Sequence, residues 1–130
     1  MADPSGEVER KRVTRDVGVP AVGDLLEHAP RATLAFVDVE TVDLVPVRPH
    51  CSGERYFFAV ATGTAADLDH REVVLVLDDG AYWFELRGIS VRGTASRAEP
   101  PVSERPPRLE WYEVAPRRVL AWDYATLHEE

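Results

Sequence analysis

Cysteine occurs once in 130 residues, as Cys51. A single thiol excludes an intrachain disulfide and a cysteine-based zinc site. A lone cysteine after a strand is ordinarily a small apolar filler. Basic residues are in deficit, with 15 Lys and Arg against 23 Asp and Glu and a formal net charge of -8. A phosphate backbone repels such a surface, so nucleic acid is not expected as a partner. No apolar run reaches the roughly 18 residues that span a bilayer, and the N-terminus lacks the apolar stretch of a secretory signal. No membrane association is expected, and the expected compartment is the cytoplasm. Catalytic signatures are missing too: there is no Gly-x-Ser-x-Gly elbow, Walker loop, His-Glu-x-x-His or Gly-x-Gly-x-x-Gly. His28, His50, His70 and His128 do not stand at metal-ligand spacing, so no metal site is expected. Asp67, Asp69 and His70 read as a solvated turn, and His50 as a loop histidine.

What is present is a chain sized for one core, with 45% apolar residues. Residues 1–18 are charged and without apolar period, and are expected to form a flexible tail; residues 19–130 form the domain. Pro20 to His28 predicts a short helix, with Val22, Leu25 and Leu26 at helical spacing and Pro30 ending it. From Ala32 the period becomes two. Ala32–Val39, Thr41–Arg48 and Arg55–Thr62 read as strands, with Cys51-Ser52-Gly53-Glu54 as a turn. Thr64–His70 allows a second short helix. Val73–Leu77 reads as a strand buried on both faces, and Asp78-Asp79-Gly80 as a hairpin turn. One long strand is expected from Tyr82 to Arg97, bent by a bulge at Gly88 where the apolar phase switches. A loop follows over Pro100–Pro107, then strands Leu109–Val114 and Val119–Trp122 with Pro116 between them. The sum is mostly β: six or seven antiparallel strands with one or two short helices. A barrel is the economical closure, because it removes exposed edges.

Two features bear on ligand binding. Gly63-Thr64, after the aromatic third strand, presents free backbone N–H groups of the kind that hold a phosphate, although a plain helix start reads the same way. Trp83, Trp111, Trp122, Tyr56 and Tyr124 could flank a planar ring, although strand aromatics more often fill cores. Trp122, ending the last strand, is the exception and belongs at a rim or subunit interface.

The order of segments is distinctive: a short helix, Ala-Thr-Leu-Ala, Val-Pro-Val, Tyr-Phe-Phe, Val-Val-Leu-Val-Leu-Asp-Asp-Gly, Val91-Arg92-Gly93-Thr94-Ala95, and a closing Pro116-Arg117-Arg118-Val119-Leu120-Ala121-Trp122-Asp123. From about Pro20 to Tyr124 it resembles the pyridoxamine 5′-phosphate oxidase-like split β-barrels, including the flavin and deazaflavin oxidoreductases. The resemblance implies a homodimer binding a small-molecule ligand, with FMN, or alternatively deazaflavin (F-420), in a groove between subunits. By the same resemblance, Val45, Pro46 and Val47 would set backbone against the ring edge and Arg48 would meet the phosphate. Thr62, Gly63 and Thr64 would form the phosphate turn, and Trp122 would lie near the groove, from either subunit. It singles out no catalytic acid or base, since the cofactor performs hydride transfer. The chain departs from the family at the phosphate turn. A Ser-Arg-Lys type stretch is usual there, and this chain has Thr62-Gly63-Thr64-Ala65-Ala66-Asp67. Asp43 and Asp67 add negative charge, so phosphate binding weakens unless Arg48, Arg92 or His70 compensates. The alternative is a non-catalytic binding or sensing module on the same barrel with a degenerate site, holding haem or no cofactor.

Overall fold

The computed structural model describes residues 16–63, 67–82, 85–102 and 109–124 (of 16 and 17, the backbone only). Its elements are β1 (Asp16–Val17), a 3-10 turn (Val19–Val22), α1 (Leu25–His28), β2 (Arg31–Asp38), β3 (Thr41–Pro46), β4 (Arg48–Ser52), β5 (Arg55–Ala61), β6 (Glu72–Asp79), β7 (Arg87–Arg97) and β8 (Leu109–Asp123). Seven strands run β3-β2-β6-β7-β8-β5-β4, every neighbouring pair antiparallel, and β1 adds to β8.

This order forces a curl. In a flat sheet seven strands at about 4.8 Å would set β3 and β4 roughly 29 Å apart. Only Val47 joins them, and a chain advances at most about 3.8 Å per residue. The two ends of the sheet must therefore meet, with Val47 N–H donating to Ala32 O at 3.1 Å.

Side-chain alternation makes the inside apolar. Leu34, Phe58, Leu75, Leu77, Ile89, Val91, Tyr112 and Val114 are all buried in one cluster. Val22 and Leu25, from the 3-10 turn and α1, complete that cluster, each contributing about 1.5–3 kcal/mol by burial. Arg87 ties the helical segment down. It reaches both carboxylate oxygens of Asp24 (3.0 and 2.6 Å) and both of Asp79 (2.9 and 2.9 Å). Among the described residues no helix is long and apolar enough to cross a membrane.

The mostly-β fold stands as expected, and several local expectations change. The Pro20–His28 helix divides into a 3-10 turn and one α-turn, with Gly23 and Asp24 between them still in helical backbone conformation. Asp16 and Val17, the end of the expected tail, pair with Trp122 and Ala121; residues 1–15 lie outside the described residues. Cys51 and Ser52 belong to β4, and the turn is Gly53-Glu54 alone. Both turn residues have positive φ (55° and 66°), as a two-residue hairpin that follows strand twist requires. Thr64 to Ala66 lie outside the described residues, and Asp67–His70 form an irregular turn, not a helix. Val73, Leu75 and Leu77 face the core while Val74 and Val76 are half-buried on the outside, so β6 alternates.

The strand expected from Tyr82 begins at Arg87, after a connection from Gly80 to Leu86; Trp83 and Phe84 are outside the described residues. The apolar phase switches because the earlier residues are not strand. The bulge lies at Arg92/Gly93, not at Gly88. The last two expected strands are one, β8, running straight through Pro116. Pro116 is tolerated because it sits opposite Gly93 at the bulge, where the ladder is already interrupted.

Candidate functional site

Among the described residues, β3 pairs only with β2, and β4 only with β5. Two free edges therefore diverge from Val47–Arg48. Arg48 pairs with Ala59, and β5 runs on through Ala61 to Thr62 and Gly63. Pairing passes from β2 to β5 at this junction, which makes the space beside it the candidate cleft. Pro46 and Arg48 flank the junction, Thr62 and Gly63 follow the end of β5, and all four are exposed. Gly63 has φ +82°, a backbone conformation that side chains resist. Val45 and Val47 turn inward and pack against the core. They can offer a ligand backbone only. Thr64 lies outside the described residues.

Trp122 is placed by the strand order and register of β8. Pro46, Thr33, Val76, Ser90 and Leu120 form one row across the outer face. Trp122, two residues beyond Leu120, is four strands from β3, about 19 Å along the sheet. It is half-buried over Gly88, its cross-strand partner.

Electrostatics at the turn after β5 are set by acids. Asp67 accepts the N–H of Asp69 at 3.0 Å, and Asp69 accepts the N–H of Arg97 at 2.9 Å. The Arg97 guanidinium pairs with Asp67 at 3.0 Å. The hydrogen bond from Asp69, with Arg97 beside it, holds the Asp67 carboxyl below its ordinary range. Leu68, fully buried, plugs the barrel, and its N–H reaches the Tyr112 hydroxyl at 3.4 Å. The acids thus clasp the loop onto β7. Of the three expected compensating cations, Arg48 alone stands at the cleft. His70 is 3.3 Å from Asp69, and Arg92 lies on β7, three strands from β3.

Other candidates resolve into structure. Tyr56 and Trp111 are buried, and Tyr124 is half-buried. His50 is not a loop residue but lies in β4, with its ring 6.1 Å from that of Phe57. Cys51 is half-buried, and burial pushes its thiol up to about 11, which keeps it protonated at neutral pH. A cavity of about 540 Å³ lies between Arg55, Phe57, Arg97 and Glu113. Its Arg55 is committed to Glu113 in a two-point pair at 2.9 and 2.8 Å. Among the described residues no three His, Cys, Asp or Glu side chains stand together to hold a metal ion.

The sequence reading missed the outer face of β2, β3 and β6. Val37, Val42 and Leu44 are 56%, 69% and 68% exposed there. The alternation of β2 and β3 carried the signal, since their outward positions are apolar where a solvated face has polar residues.

No family profile matches the sequence, and no curated protein matches it either. Solved structures do. A FAD-binding protein from Mycobacterium smegmatis superposes with a TM-score of 0.67 at 17% identity, over 82% of this chain and 95% of that one. A putative pyridoxamine 5′-phosphate oxidase from Corynebacterium glutamicum gives 0.61 at 13% identity, over 84% and 96%. This chain has the split-barrel fold. A FAD- and heme-binding protein from Mycobacterium smegmatis shares it as well, with a TM-score of 0.62 at 14% identity over 82% of this chain and 71% of that one. The resemblance read from the order of segments therefore holds at the level of architecture.

Proposed function

We propose that this protein binds a flavin in the Val47–Arg48 cleft, at a groove between two identical subunits, and serves as an oxidoreductase through that cofactor. The observation that supports the reading is the Val47–Arg48 junction, where pairing passes from β2 to β5. A cleft there would set the β3 edge beside neutral Thr62-Gly63, with Arg48 at its apex. The residues fit a planar ring and a single anionic contact. An edge strand offers backbone N–H and C=O groups to a ring edge, Pro46 offers an apolar surface, and Arg48 offers a charge-assisted bond to a phosphate. A bound flavin supplies hydride-transfer chemistry; the chain supplies orientation and exclusion of water. Trp122, remote from the cleft of its own chain, would complete the groove from the partner subunit.

FMN is the first candidate. FAD stands beside it because two of the solved structures above are FAD-binding proteins, and deazaflavin is the third. The test is titration of purified protein with each, followed by tryptophan fluorescence. Micromolar saturation with quenching supports the reading; a folded dimer that responds to none overturns it.

The acidic clasp at Asp67 and Asp69 favours a second reading, a binding or sensing module without turnover. Haem belongs in the same titration for that reason. Tight binding without reduction by any nicotinamide or deazaflavin donor would favour this alternative.

A further inference from the structure

The outward residues of β7 and β8 form one strip, set by their register. Gly88 lies opposite Trp122, Ser90 opposite Leu120, and Arg92 opposite Arg118. Their chain neighbours Ile89, Val91 and Ala121 are buried in the core, so the strip faces out. Ser90, Arg92, Arg118 and Leu120, with Val74 of the adjacent β6, line a cavity of about 200 Å³. That is room for one functional group, since pockets for whole ligands start at about 300 Å³.

Charge pairing sets these two arginines apart. Arg31, Arg55, Arg71, Arg87, Arg97 and Arg117 each hold a carboxylate. Among the described residues Arg92 and Arg118 have no ion pair. Glu72 gives both its oxygens to Arg117 and only senses Arg92 through space. Like charges directly across a strand pair repel. A chain with 23 acidic side chains against 15 basic ones has acids to spare, and none is set here. The missing partner of this pair is an anion.

We propose that Arg92 and Arg118 bind the phosphate of the flavin whose ring lies at Trp122 of the same subunit. The proposal rests on the flavin reading above and supplies what the cleft lacks. A phosphate monoester carries about 1.5 to 2 negative charges near neutral pH. Arg48 alone does not balance that charge, and Thr62-Gly63 adds no cation. Trp122 and the arginine pair ride on the same two strands, two rows or about 13 Å apart. Any placement of the subunits that brings the indole to a ring therefore brings the guanidinium groups within a spacer's length of it. Leu120 and Ser90, between the two, offer that spacer an apolar contact and a hydroxyl. The phosphate is then met by Arg48 of one protomer and by the arginine pair of the other.

The experiment titrates the wild type and the double variant Arg92→Gln, Arg118→Gln with FMN and with riboflavin, which differs only in lacking the phosphate. FMN binding is expected to weaken about tenfold or more in the variant, the worth of a charge-assisted contact. Riboflavin affinity is expected to stay within about twofold, and the variant to melt no lower than the wild type, because a like-charge pair is gone. Equal FMN affinity in both proteins overturns the proposal. So does an equal loss for FMN and riboflavin, which marks a changed groove and not a lost phosphate contact. If the wild type binds neither flavin, the flavin reading falls and inorganic phosphate becomes the probe. A rise in melting temperature at millimolar phosphate, absent in the double variant, then sustains the arginine pair as a phosphate site for another ligand; no rise overturns it as well.

Discussion

Gly88 lies directly beneath the Trp122 indole on the neighbouring strand. A Cβ at residue 88 would meet the ring, standing 2.8 Å from Cη2 and 2.9 Å from the Leu77 carbonyl oxygen. Gly88→Ala is therefore expected to lift Trp122 from its seat and to destabilise the fold by about 1–3 kcal/mol. Urea unfolding measures the loss, and a red-shifted tryptophan emission reports the displaced ring. An unchanged midpoint and spectrum would show that the indole is not held there.

Arg48 is the one arginine at the apex of the cleft. Arg48→Ala is expected to weaken flavin binding about 10- to 100-fold, the worth of one charge-assisted bond. The melting temperature should stay within about two degrees, because the side chain is exposed. Parallel flavin titrations and melts separate the two effects.

Acid should loosen the fold. Arg87 first, by hydrogen bonding, holds Asp24 below its ordinary value; Arg117 does so for Glu72 and Arg55 for Glu113. Carboxyls lowered in the folded state contribute stability that is present above their unfolded values, near pH 4, and is lost as pH falls through the folded ones. Stability is thus expected to be flat from about pH 7 to 5 and to drop below about pH 4. Arg87→Gln removes the clamp on half-buried Asp79 and should cost about 1–2 kcal/mol at neutral pH. It should also flatten the acid slope. Melting curves from neutral pH down to about pH 3 on both proteins check the sign.

Cys51 is expected to react slowly with a thiol reagent at neutral pH, because burial raises its pKa to about 11. Unfolding in urea should speed the reaction at least about tenfold. Equal rates in both states would mean that the crevice between α1 and β4, lined by Leu26, His28, Pro49 and Cys51, does not shield it.

The ladder of strands was legible because alternation is a local property. β2, β5 and β6 follow from the residues that point inward. What the sequence hid depends on partners far along the chain. Pro116 reads as a strand break until the bulge opposite it, at Arg92/Gly93, is known. Gly88 reads as a bend until Trp122 is found across from it. For the candidate site, Arg48, Pro46, Thr62 and Gly63 were suggested by the family resemblance and not by a local pattern, and the place of Trp122, four strands from β3, required the strand order. The clasp of Asp67 and Asp69 on Arg97 was invisible for the same reason: 28 positions separate Asp69 from Arg97.

Val47 has a consequence for how the molecule assembles. The strands it joins are adjacent in the chain but at opposite ends of the sheet, so its position is fixed only when everything between them has paired. β5 must first find β8. Their register runs from Tyr56 opposite Val114 to Ala61 opposite Leu109, so the pairs are separated by 58 positions (114 less 56) at one end and 48 (109 less 61) at the other. Loop closure over such spans comes before any reward from the contacts themselves, which places folding on the millisecond-to-second scale of β-barrels. Amide protection at Val47 should therefore appear among the last in a refolding time course. A permuted chain opened between Val47 and Arg48 should reach its final sheet without waiting for that seam.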